Sequence, residues 1–200
     1  MLVRPIDTIF SRFLFFFYRS EFLGFGFFCT VKIYLVGLSG VGKSSFGKQL
    51  SNRLKSSFID LDQEIEKREG KSIASIFENE GEKHFRKLES AQLRLPDPTH
   101  SFVMATGGGT PCFNDNLNYM LDNGIVVYLT LPIAMLASRL VNSYSRPLLG
   151  TKGREELEAL LAEQLRQREV YYTKAHLSVE MKNMNKERMD AFVKELEARV

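Results

Sequence analysis

Along residues 31–200, apolar residues fall into two alternating rhythms. The first is a set of short, nearly unbroken runs: 31–36 (VKIYLV), 58–62 (FIDLD), 101–105 (SFVMA), 125–129 (IVVYL) and 176–179 (HLSV). Runs of this length, rich in β-branched and aromatic residues, predict strands. The 31–36 run is too apolar for an exposed edge. The second rhythm has apolar residues three or four apart. Residues 44–55 carry Phe46, Leu50 and Leu54 at four-residue spacing, which predicts an amphipathic helix. Residues 63–70 continue as a helix that stops at Gly70. Ser72 is a good N-cap for a helix carrying Ile73, Ile76 and Phe77, and Gly81 separates it from another at about 82–95, with Phe85, Leu88 and Leu95. Pro96 and Pro98 close that element. Further helices are expected at 113–122, from Pro132 to about 140, from Arg154 to about Tyr172, and at 185–199. Strands alternating with helices imply an α/β fold with five strands in a mostly parallel sheet, covered by helices on both faces.

The first strand leads into Gly37-Leu38-Ser39-Gly40-Val41-Gly42-Lys43-Ser44, the pattern G-x-x-x-x-G-K-S of a phosphate-binding loop. Its glycines let the backbone wrap a phosphate chain with N–H groups turned inward. Lys43 supplies a point charge for the β- and γ-phosphates, and the Ser44 hydroxyl can ligate Mg²⁺. The helix beginning there offers its positive end to the same anion. Strand, glycine loop and helix follow one another in the order this chemistry requires.

Composition changes the picture little. The chain has 200 residues, 44% of them hydrophobic and 26% charged, as expected of one globular domain. With 27 basic against 24 acidic residues, net charge +3, the balance gives no argument for a nucleic-acid partner but leaves room for a local anion pocket. Two cysteines, Cys29 and Cys112, make neither a disulfide framework nor a metal-ligand spacing, and fit a reducing, cytoplasmic setting. His84, His100 and His176 are far apart and read as structural or exposed.

Residues 1–30 are unlike the rest: nine of the 16 phenylalanines lie there. Arg12, Arg19, Ser20 and Glu21 interrupt the apolar run, so it fits neither a secretory signal nor a bilayer span. The expectation is that this segment is an atypical extension and that translation starts near Val31 from a non-standard start codon. An interfacial anchor and a sorting segment are the competing readings.

In open parallel sheets, ligands gather at the carboxyl ends of strands. The glycine loop, Asp60 with Asp62, and Thr106-Gly107-Gly108-Gly109 all follow strands and should face one another. Asp60 can also be read as a strand-end turn former, and Asp62 as an N-cap for 63–70.

Taken together, GLSGVGKSS (37–45), FIDLD (58–62), FRKLE (85–89), TGGG (106–109), SRPLL (145–149) and Arg168 in QREVYY resemble the shikimate kinases, within the nucleoside-monophosphate-kinase-like P-loop group. The match runs from about Val31 to the C-terminus. The resemblance implies a three-layer α/β/α P-loop kinase with a mobile lid at about 141–153. It also implies transfer of the ATP γ-phosphoryl to the 3-hydroxyl of shikimate, on the route to chorismate and aromatic amino acids. Gly40, Val41, Gly42, Lys43, Ser44 and Ser45 would bind ATP, with Mg²⁺ on Ser44 and Asp60. Asp62 would hold the substrate hydroxyls and act as base or orienter. Arg86 and Arg168 would grip the substrate carboxylate, with Glu89 steadying Arg86, and Gly107, Gly108 and Gly109 would line the substrate. Arg146 in the lid would reach the ATP phosphates, and Arg139 matches a position near adenine. Ser45 departs mildly from the threonine common in the family, and adenine contacts near 179–185 are not placed. A monomer acting on ATP and shikimate, with no nucleic acid or membrane partner, is expected. A gluconate kinase and a membrane-attached nucleotide-binding regulator are the rival readings.

Overall fold

The computed structural model describes residues 30–141 and 153–198. Most of the 1–30 extension, the interior of the expected lid and Arg146 lie outside the described residues. The elements run β1 (Lys32–Val36), α1 (Lys43–Leu54), β2 (Ser57–Asp60), α2 (Leu61–Glu69), α3 (Ile73–Leu93), β3 (Phe102–Ala105), a 3₁₀ turn (Thr110–Cys112), α4 (Asn116–Asn123), β4 (Ile125–Thr130), α5 (Ile133–Val141), α6 (Arg154–Tyr172), β5 (Leu177–Glu180) and α7 (Lys186–Glu197).

The strands order as β2-β3-β1-β4-β5, and every neighbouring pair is parallel. The central place of β1 follows from its sequence. Ile33, Tyr34, Leu35 and Val36 are successive and all buried to 1% exposure or less. Successive strand residues point to opposite faces, so both faces of the sheet are covered, and the domain is a three-layer α/β/α structure. On the α1 side, Gly47 lets helix and sheet meet: a Cβ there would lie 2.5 Å from the Phe58 ring. Phe46 packs on Phe192 of α7, ring centroids 5.7 Å apart, joining the last helix to the first.

Several boundaries differ from the sequence reading for identifiable reasons. The strand expected at 58–62 ends at Asp60, because Asp60 is itself the N-cap of α2, accepting the Gln63 N–H. Asp62 therefore lies in the first turn of α2 and does not cap it. The Ser72 cap is present and accepts the Ser75 N–H at 3.1 Å. The two helices expected around Gly81 are stacked into one element, α3, broken at Gly81, whose backbone (φ 81, ψ 165) is non-helical. The helix expected from 113 starts at Asn116, because Asn114 and Asp115 both adopt left-handed backbone (φ 50 and 59).

Candidate active site

The loop between β1 and α1 carries Gly37, Gly40 and Gly42 at positive φ, the backbone form a tight anion-binding turn needs. Lys43 is the first residue of α1 and is nearly buried. Its ammonium donates to the carbonyls of Gly37 (2.8 Å) and Leu38 (3.0 Å), so it spans the loop it belongs to. The next side chain, Ser44, donates its hydroxyl to Asp60 Oδ2 at 2.6 Å. That bond joins the start of α1 to the end of β2 across sixteen residues. Ser45, the third residue of α1, is exposed. Arg139 comes from α5 and donates to the Val41 carbonyl at 3.3 Å, so it lies against the loop. Met181, just after β5, approaches Gly42 as well.

At the end of β3, Thr106 is tied back to β1 by its hydroxyl on the Leu35 carbonyl (2.9 Å). The three glycines that follow are each met by one side chain expected to handle substrate. A Cβ on Gly107 would lie 3.1 Å from Asp62 Oδ1, one on Gly108 3.3 Å from Arg168 Nη1, and one on Gly109 2.7 Å from Arg86 Nη2. The Gly108 position also touches Ser39 of the phosphate loop, at 3.2 Å from its Oγ. Neighbouring Cα atoms are only about 3.8 Å apart, so a carboxylate and two guanidinium groups crowd around one short turn beside the phosphate loop. Any side chain on this turn would occupy that space.

Arg86 is held from several sides. Its Nη1 pairs with Glu89 Oε2 at 2.8 Å, and its Nη2 and Nε reach Glu82 Oε1 at 2.9 and 3.2 Å. Glu89 is fully buried and also accepts the Thr110 hydroxyl. Thr110 and Asn116 are likewise buried, and Asn116 Nδ2 donates to the Thr110 carbonyl at 3.0 Å. Tyr172 donates its hydroxyl to the Gly108 carbonyl at 2.5 Å, fastening the end of α6 to the glycine turn. Burial raises the Tyr172 pKa far above the ordinary tyrosine value, so the phenol stays a donor. Burial likewise raises the Cys112 thiol, which fits an unreactive cysteine.

The expected site residues of the phosphate loop, with Asp60, Asp62, Arg86, Gly107, Gly108, Gly109, Arg139 and Arg168, thus lie close together, and Ser45 is exposed beside Ser44. The sequence reading did not pick out Thr110, Asn116, Tyr172 or Ser39. Tyr172 carried a signal, since it follows Arg168 by one helical turn. Asn116 carried none, because its role depends on the irregular turn before it. Among the described residues no cluster of three or more His, Cys, Asp or Glu could hold a metal by itself. Ser44 and Asp60 provide oxygen donors that suit a hard cation arriving with a phosphate chain.

A glycine loop between the central strand and the first helix of an all-parallel sheet, with two guanidinium groups and a carboxylate clustered beside it, defines a P-loop kinase. Comparison with known proteins narrows the class. The shikimate kinase family model matches residues 39–197. A shikimate kinase of Parabacteroides distasonis is 40% identical over 154 residues, covering 76% of this chain and 89% of that protein. The crystal structure of shikimate kinase from Bacteroides thetaiotaomicron superposes with a TM-score of 0.78 at 34% identity, covering 84% of this chain and 97% of that one. Shikimate kinase from Acinetobacter baumannii in complex with shikimate gives 0.71 at 34% identity, covering 84% and 91%. The chain belongs to the shikimate kinase family.

Proposed function

We infer that the protein transfers the γ-phosphoryl group of ATP to the 3-hydroxyl of shikimate, yielding shikimate 3-phosphate and ADP. The observation that carries this reading is the glycine turn of residues 107–109, met in succession by Asp62, Arg168 and Arg86. A small polyol bearing a carboxylate suits that arrangement. Two planar guanidinium forks pair with the carboxylate, while Asp62 accepts a hydrogen bond from a hydroxyl at the other end. The crystallised relative from A. baumannii binds shikimate, which supports the same acceptor here.

The phosphate loop would hold the β- and γ-phosphates on its backbone N–H groups, with Lys43 placed to neutralise their charge. Asp62 would orient the attacking hydroxyl and accept its proton. Ser44 and Asp60 would hold Mg²⁺, which supplies charge neutralisation on the phosphates when bound. Arg139, which donates to the Val41 carbonyl of the loop, would lie near the nucleotide. Arg146, within a lid at about 141–153, would complete the phosphate contacts and exclude water. We assign this work to one domain, residues 31–200, acting as a monomer in the cytoplasm. No described helix is long and apolar enough to cross a membrane.

The test is a coupled ADP-release assay with ATP, Mg²⁺ and shikimate, with gluconate and quinate as parallel acceptors. Shikimate-dependent ADP release is expected. Release with gluconate or quinate alone overturns the acceptor, and silence with all three overturns the reaction.

A further inference from the structure

The edge of the Arg86 guanidinium is occupied by carboxylates, but their surroundings differ. Glu89, on Nη1, is wholly buried, whereas Glu82, on Nη2 and Nε, is 56% exposed. A substrate carboxylate seeking the fork therefore competes with Glu82, because displacing an exposed side chain costs least. During that exchange the edge contacts on one side are lost. Something else must keep the guanidinium plane in place.

The structure supplies a face contact. The Phe113 ring lies 4.2 Å from Arg86 Cζ, nearer than Phe85 (5.1 Å) or Phe77 (5.9 Å). Phe113 is one of the few large apolar residues left open, at 38% exposure, so core burial is not what holds it there. The backbone holds it. Phe113 is extended, and the two left-handed residues behind it, Asn114 and Asp115, turn the chain toward α3. Asn114 Nδ2 donates to the Arg86 carbonyl at 2.8 Å. Asn116 anchors the other end of the turn, its N–H on the Phe113 carbonyl and its Oδ1 accepting from Arg94 and Ser90. The ring is thus mounted on the very helix that carries Arg86.

We propose that Phe113 is a positioning residue for substrate recognition, a platform that fixes the plane of Arg86 while its edge passes from Glu82 to the substrate carboxylate. This rests on the shikimate reading above. Its test is steady-state kinetics plus calorimetric shikimate binding for the wild type, Phe113→Leu, Phe113→Tyr, Arg86→Lys and the Phe113→Leu/Arg86→Lys double variant. Loss of the face contact in Phe113→Leu is expected to raise both Kd and KM for shikimate roughly five- to tenfold. The KM for ATP should be unchanged and kcat should stay within about twofold. Phe113→Tyr restores wild-type values, because it keeps the aromatic face. In the Arg86→Lys background, Phe113→Leu adds nothing further, since the group it positions is gone. An unchanged shikimate KM in Phe113→Leu overturns the proposal, as does an equal penalty with and without Arg86. A wild type that phosphorylates shikimate beside an unaffected Phe113→Leu sinks the platform alone. A wild type that neither binds nor phosphorylates shikimate sinks the acceptor reading and the platform with it.

Discussion

Glu89 has no access to solvent, yet it sits within hydrogen-bond reach of a guanidinium and a hydroxyl. Such a group is stable in the interior only while its partners satisfy it. Glu89→Gln removes the charge and one acceptor, leaving Arg86 and Thr110 underpaired. A loss of about 3 kcal/mol in urea denaturation is expected, with a raised KM for shikimate. Asp62 is a different kind of residue, since it meets the glycine turn from a helix start and its expected part is chemical. Asp62→Asn should lower turnover by a factor of ~10² or more while ATP still binds, as read by single-turnover kinetics and nucleotide titration. Near-normal turnover would remove Asp62 as base or orienter. At this scale the sequence was informative wherever a side chain's chemistry decides its place. Arg86, Arg168, Asp62 and Lys43 stood out because charged residues in short motifs need a reason. Phe113 and Asn116 did not, because a phenylalanine or asparagine in a loop has many ordinary explanations.

Among the elements, the strands were the most legible, because burial on both faces leaves unbroken apolar runs such as 31–36. Helix α6 was read to its ends. The turn at 110–115 was not, since two consecutive left-handed residues that are not glycine leave no pattern in hydrophobicity. Gly81 was legible as a break but not as a kink within one element. Its φ 81, ψ 165 backbone belongs almost wholly to glycine, and a Cβ there would meet nothing within 4 Å. Gly81→Ala should therefore cost about 1–3 kcal/mol through backbone strain alone, measurable by denaturation. A neutral result would mean that α3 straightens without penalty. At the other side of the sheet, His176 precedes β5 and its Nδ1 accepts the Val126 N–H at 3.0 Å. Burial pushes its pKa below the ordinary 6.5, so the folded ring stays neutral where the unfolded one takes up a proton. The unfolded chain then binds more protons as pH falls through that region. The stability this ring contributes is present above about pH 6.5 and is lost on acidification below it. Denaturation midpoints at pH 7.5, 6.5 and 5.5 should show this slope, and His176→Gln should flatten it.

The whole molecule brings the phosphate-loop motif and the Arg86–Arg168 pair together at the carboxyl ends of β1, β2 and β3. A net charge of only +3 means that the proposed anion binding must come from this face and not from the overall surface. Ligands that bind the folded state alone must stabilise it. ATP with Mg²⁺ at a hundredfold excess over Kd is expected to contribute about 2.7 kcal/mol and to raise Tm by roughly 5–10 °C. Differential scanning fluorimetry reads this, and Lys43→Ala should abolish most of the shift. Fold class was accessible from the chain because motif order and strand order agree, and so was the gathering of the motif residues at one end of the sheet. The fastening between them was not: the spacing of Tyr172 from Arg168 was visible, but its partner is a backbone carbonyl that no side-chain pattern announces.

One such fastening, Tyr172 on the Gly108 carbonyl, gives α6 a fixed index at its C-terminal end. Arg168 lies one turn upstream on the same side of the helix, so its aim is counted backward from Tyr172. A residue inserted early in α6 leaves that count intact and pushes the mismatch toward the N-terminal half. The same insertion between 168 and 172 swings the arginine by about 100° around the axis and about 1.5 Å along it, away from the turn. Length variation in this region of the chain is therefore tolerable on one side of Arg168 and forbidden on the other.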